Sequence, residues 1–174
     1  MIQTVVKSLR VFVFGIIPLF LIASVSKDHE SGKTLEKGTY ECEASGAING
    51  KVNGFAFFKI VKQHHDSGQI SQRLELSFKT EEIGKNALIQ FELTNKPDSK
   101  GVYKIKNLER LFHGLEGVYG YADLGKQNEL PFFASRGSIT ILENGSDILV
   151  GNLEVGFKNA NNETLNLKGF FNAK

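Results

Sequence analysis

The chain has 174 residues, with 21 Lys and Arg against 19 Asp and Glu, 18 Gly, 14 Phe, one Cys and no Trp. Its first 26 residues hold Lys7 and Arg10 and no acid, so setting those two bases aside leaves residues 27–174 balanced at 19 against 19. A nucleic-acid partner is thereby excluded, because phosphate neutralisation needs a basic domain, and aperiodic glycines among plentiful apolar residues exclude collagen and low-complexity disorder.

In chain order, residues 1–10 form a positive n-region. Residues 11–25 (VFVFGIIPLFLIASV) are free of charge, and Ala23, Ser24 and Ser26 make a small-residue exit. These are the three parts of an export signal. The rival is a membrane anchor, but at helical rise the apolar run reaches roughly 22 Å against a hydrocarbon core of about 30 Å, and Pro18 interrupts it. A signal peptide over 1–26 is expected, cleaved after Ser26 with Ser24 as the alternative. The protein is then periplasmic or secreted, with no stable membrane span after cleavage. Residues 27–37 (KDHESGKTLEK) read as a flexible polar lead-in, and 38–174 as a single β domain.

Strands are expected at 39–45 and 51–63. Cys42, between Glu41 and Glu43, points away from both on such a strand and reads as a small buried apolar residue. With no second cysteine the chain cannot form an internal disulfide, so the core alone must hold it. In 70–80 (ISQRLELSFKT), Leu74, Leu76 and Phe78 alternate with Arg73, Glu75, Ser77 and Lys79, the signature of a half-buried strand. Residues 87–94 repeat it with Ala87, Ile89, Phe91 and Leu93 inward. Further strands are expected at 101–106, 117–124, 129–135 and 137–143, and one short helical turn at 105–112 (IKNLERLF). Residues 148–159 then place Leu149, Gly151, Leu153, Val155 and Phe157 on one face. Residues 164–172 place Leu165, Leu167, Gly169 and Phe171 likewise. Asn-, Gly- and Asp-rich turns separate these segments. The fold class is therefore all-β: one antiparallel β-barrel or β-sandwich of about nine or ten strands with at most one short helix. The doublets Phe57-Phe58, Phe132-Phe133 and Phe170-Phe171 each put one ring inside and one outside.

Chemistry-bearing motifs fail one by one. His64-His65-Asp66 falls at a hairpin tip, where adjacent side chains diverge rather than converge on a metal. Gly32-Lys33-Thr34 lacks the first glycine of a phosphate-binding loop. Gly114, Gly117 and Gly120 lack the Gly-x-Gly of a dinucleotide fingerprint and read as sites of bending or close strand approach. Glu41 and Glu43 share a strand face, the ordinary pattern of a solvated one. Asn144 and Asn162 stand in glycosylation sequons within turns. No catalytic residue, metal ligand or cofactor is assigned. The most suggestive stretch is 112–133, whose Tyr119 and Tyr121 share a face at i, i+2. With His113 and Phe133 they form the candidate ligand-binding set, since tyrosine joins an apolar ring to a hydroxyl handle.

Residues 137–141 (GSITI), 149–153 (LVGNL) and 165–170 (LNLKGF) resemble the three-strand ending of small exported β-rich proteins of Gram-negative bacteria, many of unknown function and some lipocalin-type (calycin-like) barrels. The resemblance implies an envelope location and a barrel with an apolar pocket. It carries over no functional residue, and the chain lacks the lipid-attachment cysteine that many such proteins carry. The expected function is that of an exported non-enzymatic binding protein holding a small apolar ligand in a barrel or sandwich. A protein–protein or structural module of the cell envelope is the alternative, and an enzyme with dispersed catalytic groups a second one. A solid interior packed with the inward rings would count against the small ligand.

Overall fold

Period-two alternation becomes extended strand, broken by short turns, in the residues that the computed structural model describes, namely 35–64, 70–80, 87–94, 100–106, 117–125 and 130–174. The strands are β1 (Thr39–Gly46), β2 (Gly50–His64), β3 (Ile70–Thr80), β4 (Ala87–Leu93), β5 (Gly101–Lys104), β6 (Val118–Asp123), β7 (Phe132–Asn144), β8 (Leu149–Lys158) and β9 (Thr164–Ala173). The sheet runs β7-β6-β4-β3-β2-β1-β9-β8, and β8 pairs back onto β7, closing an eight-stranded antiparallel barrel. β5 stands outside the ring. β7 pairs first with β6 through Phe132 and Phe133, then with β5 through 138–141. Closure removes most of the open edge that a sandwich would keep.

The segments read as separate strands at 129–135 and 137–143 are one strand, β7. Ser135 and Leu142 are extra residues against β8, since the register skips between Ala134 and Arg136 and between Ile141 and Glu143. The first bulge flips the phase of alternation, so Phe132 and Ala134 face inward before it and Ile139 and Ile141 after it. Gly137 follows at φ +103°, where a Cβ would stand 2.0 Å from the Glu154 carbonyl oxygen. A phase change beside a glycine looks like a turn in sequence; here it is a bulge that bends the strand around the ring. The helical turn expected at 105–112 is not formed at its start. The Ile105 amide donates to the Gly137 carbonyl (2.9 Å) and the Lys106 amide to the Val118 carbonyl (2.9 Å). Its remainder, 107–112, lies outside the described residues.

Every inward position named from the alternation of β3, β4 and β8 is buried, as are Leu165, Leu167 and Phe171 of β9. All three doublets split as expected: Phe58, Phe132 and Phe171 turn to the core, while Phe57, Phe133 and Phe170 are exposed. Inside the ring, Phe78 touches Tyr40, Phe91 and Phe171 with ring centroids 4.9, 6.1 and 5.7 Å away. Phe91 meets Phe157 at 5.8 Å. Tilted and edge-on ring pairs each add about 0.5–1.5 kcal/mol beyond area burial. Cys42 belongs to this interior, and burial pushes its thiol pKa up to about 12, with Glu41 adding to the effect.

Charged side chains stand on the outside of the ring, Lys59, Arg73, Glu75 and Glu92 among them. A barrel in contact with lipid needs the opposite alternation, apolar outward. Among the described residues no helix is long and apolar enough to cross a membrane.

Candidate functional site

β6 carries two of the residues singled out from sequence, Tyr119 and Tyr121. Its start is pinned to the end of β4. The Thr94 hydroxyl donates to the Gly117 carbonyl (3.1 Å) and accepts from the Gly117 amide (2.9 Å). Between the two tyrosines, Gly120 faces inward. A Cβ there would lie 2.4 Å from Cδ1 of Phe91, so the missing side chain makes room for a core ring. With Gly120 turned in, both tyrosines turn out, half-buried on the outer wall. Asp123 ends the strand by accepting the Gly125 amide at 2.9 Å, a local side-chain turn.

Register then brings other residues to them. Phe57 faces Ser77, Ser77 faces Gln90, Gln90 faces Tyr121, and Tyr121 faces Phe133, on β2, β3, β4, β6 and β7 in turn. At the usual strand spacing this row spans about 19 Å. Its ends are exposed rings, Phe57 at 36% and Phe133 at 43%. Its middle is polar, with the Tyr121 hydroxyl donating to Oε1 of Gln90 at 3.2 Å. Phe55, two residues from Phe57 on the same face, is 58% exposed with its ring centroid 6.4 Å from that of Phe57. The Lys79 ammonium stands 5.8 Å from the Phe57 ring centroid.

The neighbouring row is ionic. Glu75 accepts from Lys59 Nζ at 2.9 Å and pairs with Arg73 Nη2 at 3.0 Å, and Arg73 Nη1 lies 3.5 Å from Glu92. Glu75 is 8% exposed although it lies outside the barrel, because its partners' long side chains cover it. The Lys59 ammonium hydrogen-bonded to Glu75 holds its carboxyl below the usual carboxylate range. Arg73 adds to that, and desolvation works against both. Tyr119 faces Glu92 in this row. The charges satisfy one another, so the wall offers a partner mainly rings, hydroxyls and the Gln90 amide.

Three of the four residues chosen from sequence, Tyr119, Tyr121 and Phe133, thus meet on one outer surface rather than around a cavity. His113 lies outside the described residues, as do His65 and Asp66; His64 closes the β2–β3 pairing opposite Ile70. Glu41 and Glu43 share the outer face of β1, where Glu41 stands 3.7 Å from Lys51. Among the described residues no three His, Cys, Asp or Glu side chains come together as a metal site. Phe57, Ser77 and Gln90 are not among the candidate site residues read from sequence. The signal that could have found them is the hairpin register, which decides who stands opposite whom. The chain matches no family model, no curated protein and no solved structure.

Proposed function

We propose that this is an exported, non-enzymatic binding protein of the periplasm or cell exterior, and that it takes a partner protein of the envelope on the outer wall of β2, β3, β4, β6 and β7. The observation that carries the reading is the row from Phe57 through Ser77, Gln90 and Tyr121 to Phe133, with exposed rings at both ends. Protein interfaces concentrate their energy in aromatic and arginine anchors surrounded by polar groups, and Phe57, Tyr121, Phe133 and Arg73 are of those types. Export rests on the signal-like residues 1–26.

A small apolar ligand inside the ring is the second reading, favoured by the closed eight-stranded barrel, an architecture shared with lipocalin-type proteins. The mutual contacts of Tyr40, Phe78, Phe91, Phe157 and Phe171 in the interior weigh against it, which is why the outer wall is preferred.

The test is site-specific photo-crosslinking in the native host. A photoreactive residue at Phe57 or Phe133 should capture one protein, and the same residue at Glu43 or Lys168 on the far wall should not. Equal capture from both walls, or none from the aromatic one, would sink the proposal.

A further inference from the structure

β2 outruns its neighbour. β1 pairs with it only from Gly50 to Phe55. Past that point the Ala56 amide donates to the Gly38 carbonyl (2.8 Å), the Lys174 amide to the Ala56 carbonyl (3.2 Å), and the Phe58 amide to the Lys174 carbonyl (3.1 Å). Beyond Phe58 the strand continues to His64, paired with β3 on one edge. Among the described residues nothing pairs with the other edge. Alternate residues of an antiparallel strand present both backbone groups to the same edge. Ala56 and Phe58 face the Gly38 and Lys174 side, so Ile60 and Lys62 present their N–H and C=O groups there. Ile60 is 42% exposed, and Lys62 is exposed. Such an edge is a ready template for another strand.

We infer that the edge of β2 from Phe58 to Lys62 receives an extended acidic segment of a partner protein as an added strand. Main-chain bonds to Ile60 and Lys62 supply the attachment, as in other strand-addition complexes. Side chains supply the choice of partner. Lys62 and Lys174 are exposed beside this edge, whereas Lys59 reaches to Glu75 on β3. A second copy docked edge to edge would set lysine against lysine, and like charges facing each other across strands are destabilising. Carboxylates on the face of the incoming strand that Lys62 shares meet those ammonium groups instead. The inference does not depend on the outer aromatic row, because the contact is with backbone at a different edge.

The test is amide hydrogen exchange followed residue by residue on the isotope-labelled exported protein. The probes are short end-capped peptides of alternating glutamate and valine, with alternating lysine and valine as control. The acidic peptide should slow exchange of the Ile60 and Lys62 amides by about tenfold or more, and the basic one should not. Lys62→Pro removes a donor only at the open edge, a placement that strands tolerate, and it should abolish the effect. Lys62→Glu keeps the donor and should weaken the effect by charge alone. No slowing with the acidic peptide, or equal slowing with both peptides, overturns the inference. So does protection of both amides without peptide in a protein that runs as a dimer, since a second copy would then hold the edge. Loss of partner capture at Phe57 or Phe133 leaves the exchange result unchanged, which separates this inference from the outer-wall proposal.

Discussion

Phe78 of β3 and Phe171 of β9 lie with ring centroids 5.7 Å apart although β2 and β1 separate their strands around the ring. Phe91 of β4 and Phe157 of β8 meet at 5.8 Å in the same way, with β6 and β7 between their strands. These contacts cross the interior. They make the barrel a packed core and move the question of binding to its outside.

The first expectation concerns that core. Phe91→Ala removes a ring touching Phe78 and Phe157 and should cost about 3–5 kcal/mol in denaturant unfolding. Gly120→Ala drives a methyl group into the same ring and should cost about 1–3 kcal/mol. Combined with Phe91→Leu it should cost less than the sum of the two single changes, because both act on one contact. Additive costs would mean that Gly120 does not serve the Phe91 ring.

The bulge makes a separate demand. Gly137→Ala meets both a positive φ and the Glu154 carbonyl, so it should destabilise by roughly 1–3 kcal/mol. Gly145→Ala, whose Cβ would meet a side-chain methyl at 3.0 Å, should cost less. Equal unfolding midpoints for the two variants would contradict the strained bulge of β7.

Much of this fold is legible in sequence where one face of a strand is buried and the other wet. Leu74, Leu76 and Phe78 could be assigned inward because a one-residue slip would expose all three. The same logic placed Tyr119 and Tyr121 on a shared face. Bulges defeat it, since an inserted residue such as Ser135 resets the phase without changing strand identity. Closure of β7 on β8 and the position of β5 outside the ring also escape it, because both sandwich and barrel use period two. The site was half legible for a related reason. The tyrosines announce themselves by type, whereas Phe57, Ser77 and Gln90 join them only through the register of four strand pairs.

Glu75 gives the pH dependence. Its carboxyl titrates below the ordinary value in the folded protein because Lys59 and Arg73 favour the ionised form. A lowered acid stabilises the fold above its unfolded pKa of about 4.3 and loses that contribution as pH falls through the lower folded value. Glu75→Gln should therefore cost about 1–2 kcal/mol at neutral pH, and its thermal midpoint should converge on that of the native protein as the pH drops below that of a free glutamate. A gap that persists in acid would mean the ion pairs contribute nothing.

Cys42 should be inert. With its thiol buried and its pKa raised to about 12, reaction with a thiol reagent at neutral or mildly alkaline pH requires opening of the barrel. Modification should track unfolding in denaturant. Rapid modification of the folded protein would place the thiol elsewhere.

Outer-wall substitutions should separate binding from stability. Phe57→Ser and Phe133→Ser alter exposed rings and should each cost no more than about 1–2 kcal/mol, leaving the fold intact. The most direct test is native mass spectrometry on the protein purified gently from its native host, with the native chain beside the Phe57→Ser/Phe133→Ser double variant. A partner chain bound to the native protein and lost from the double variant, with no small-molecule adduct on either, is the predicted result. A small molecule held equally by both proteins and shed only on denaturation would put the binding site back inside the barrel.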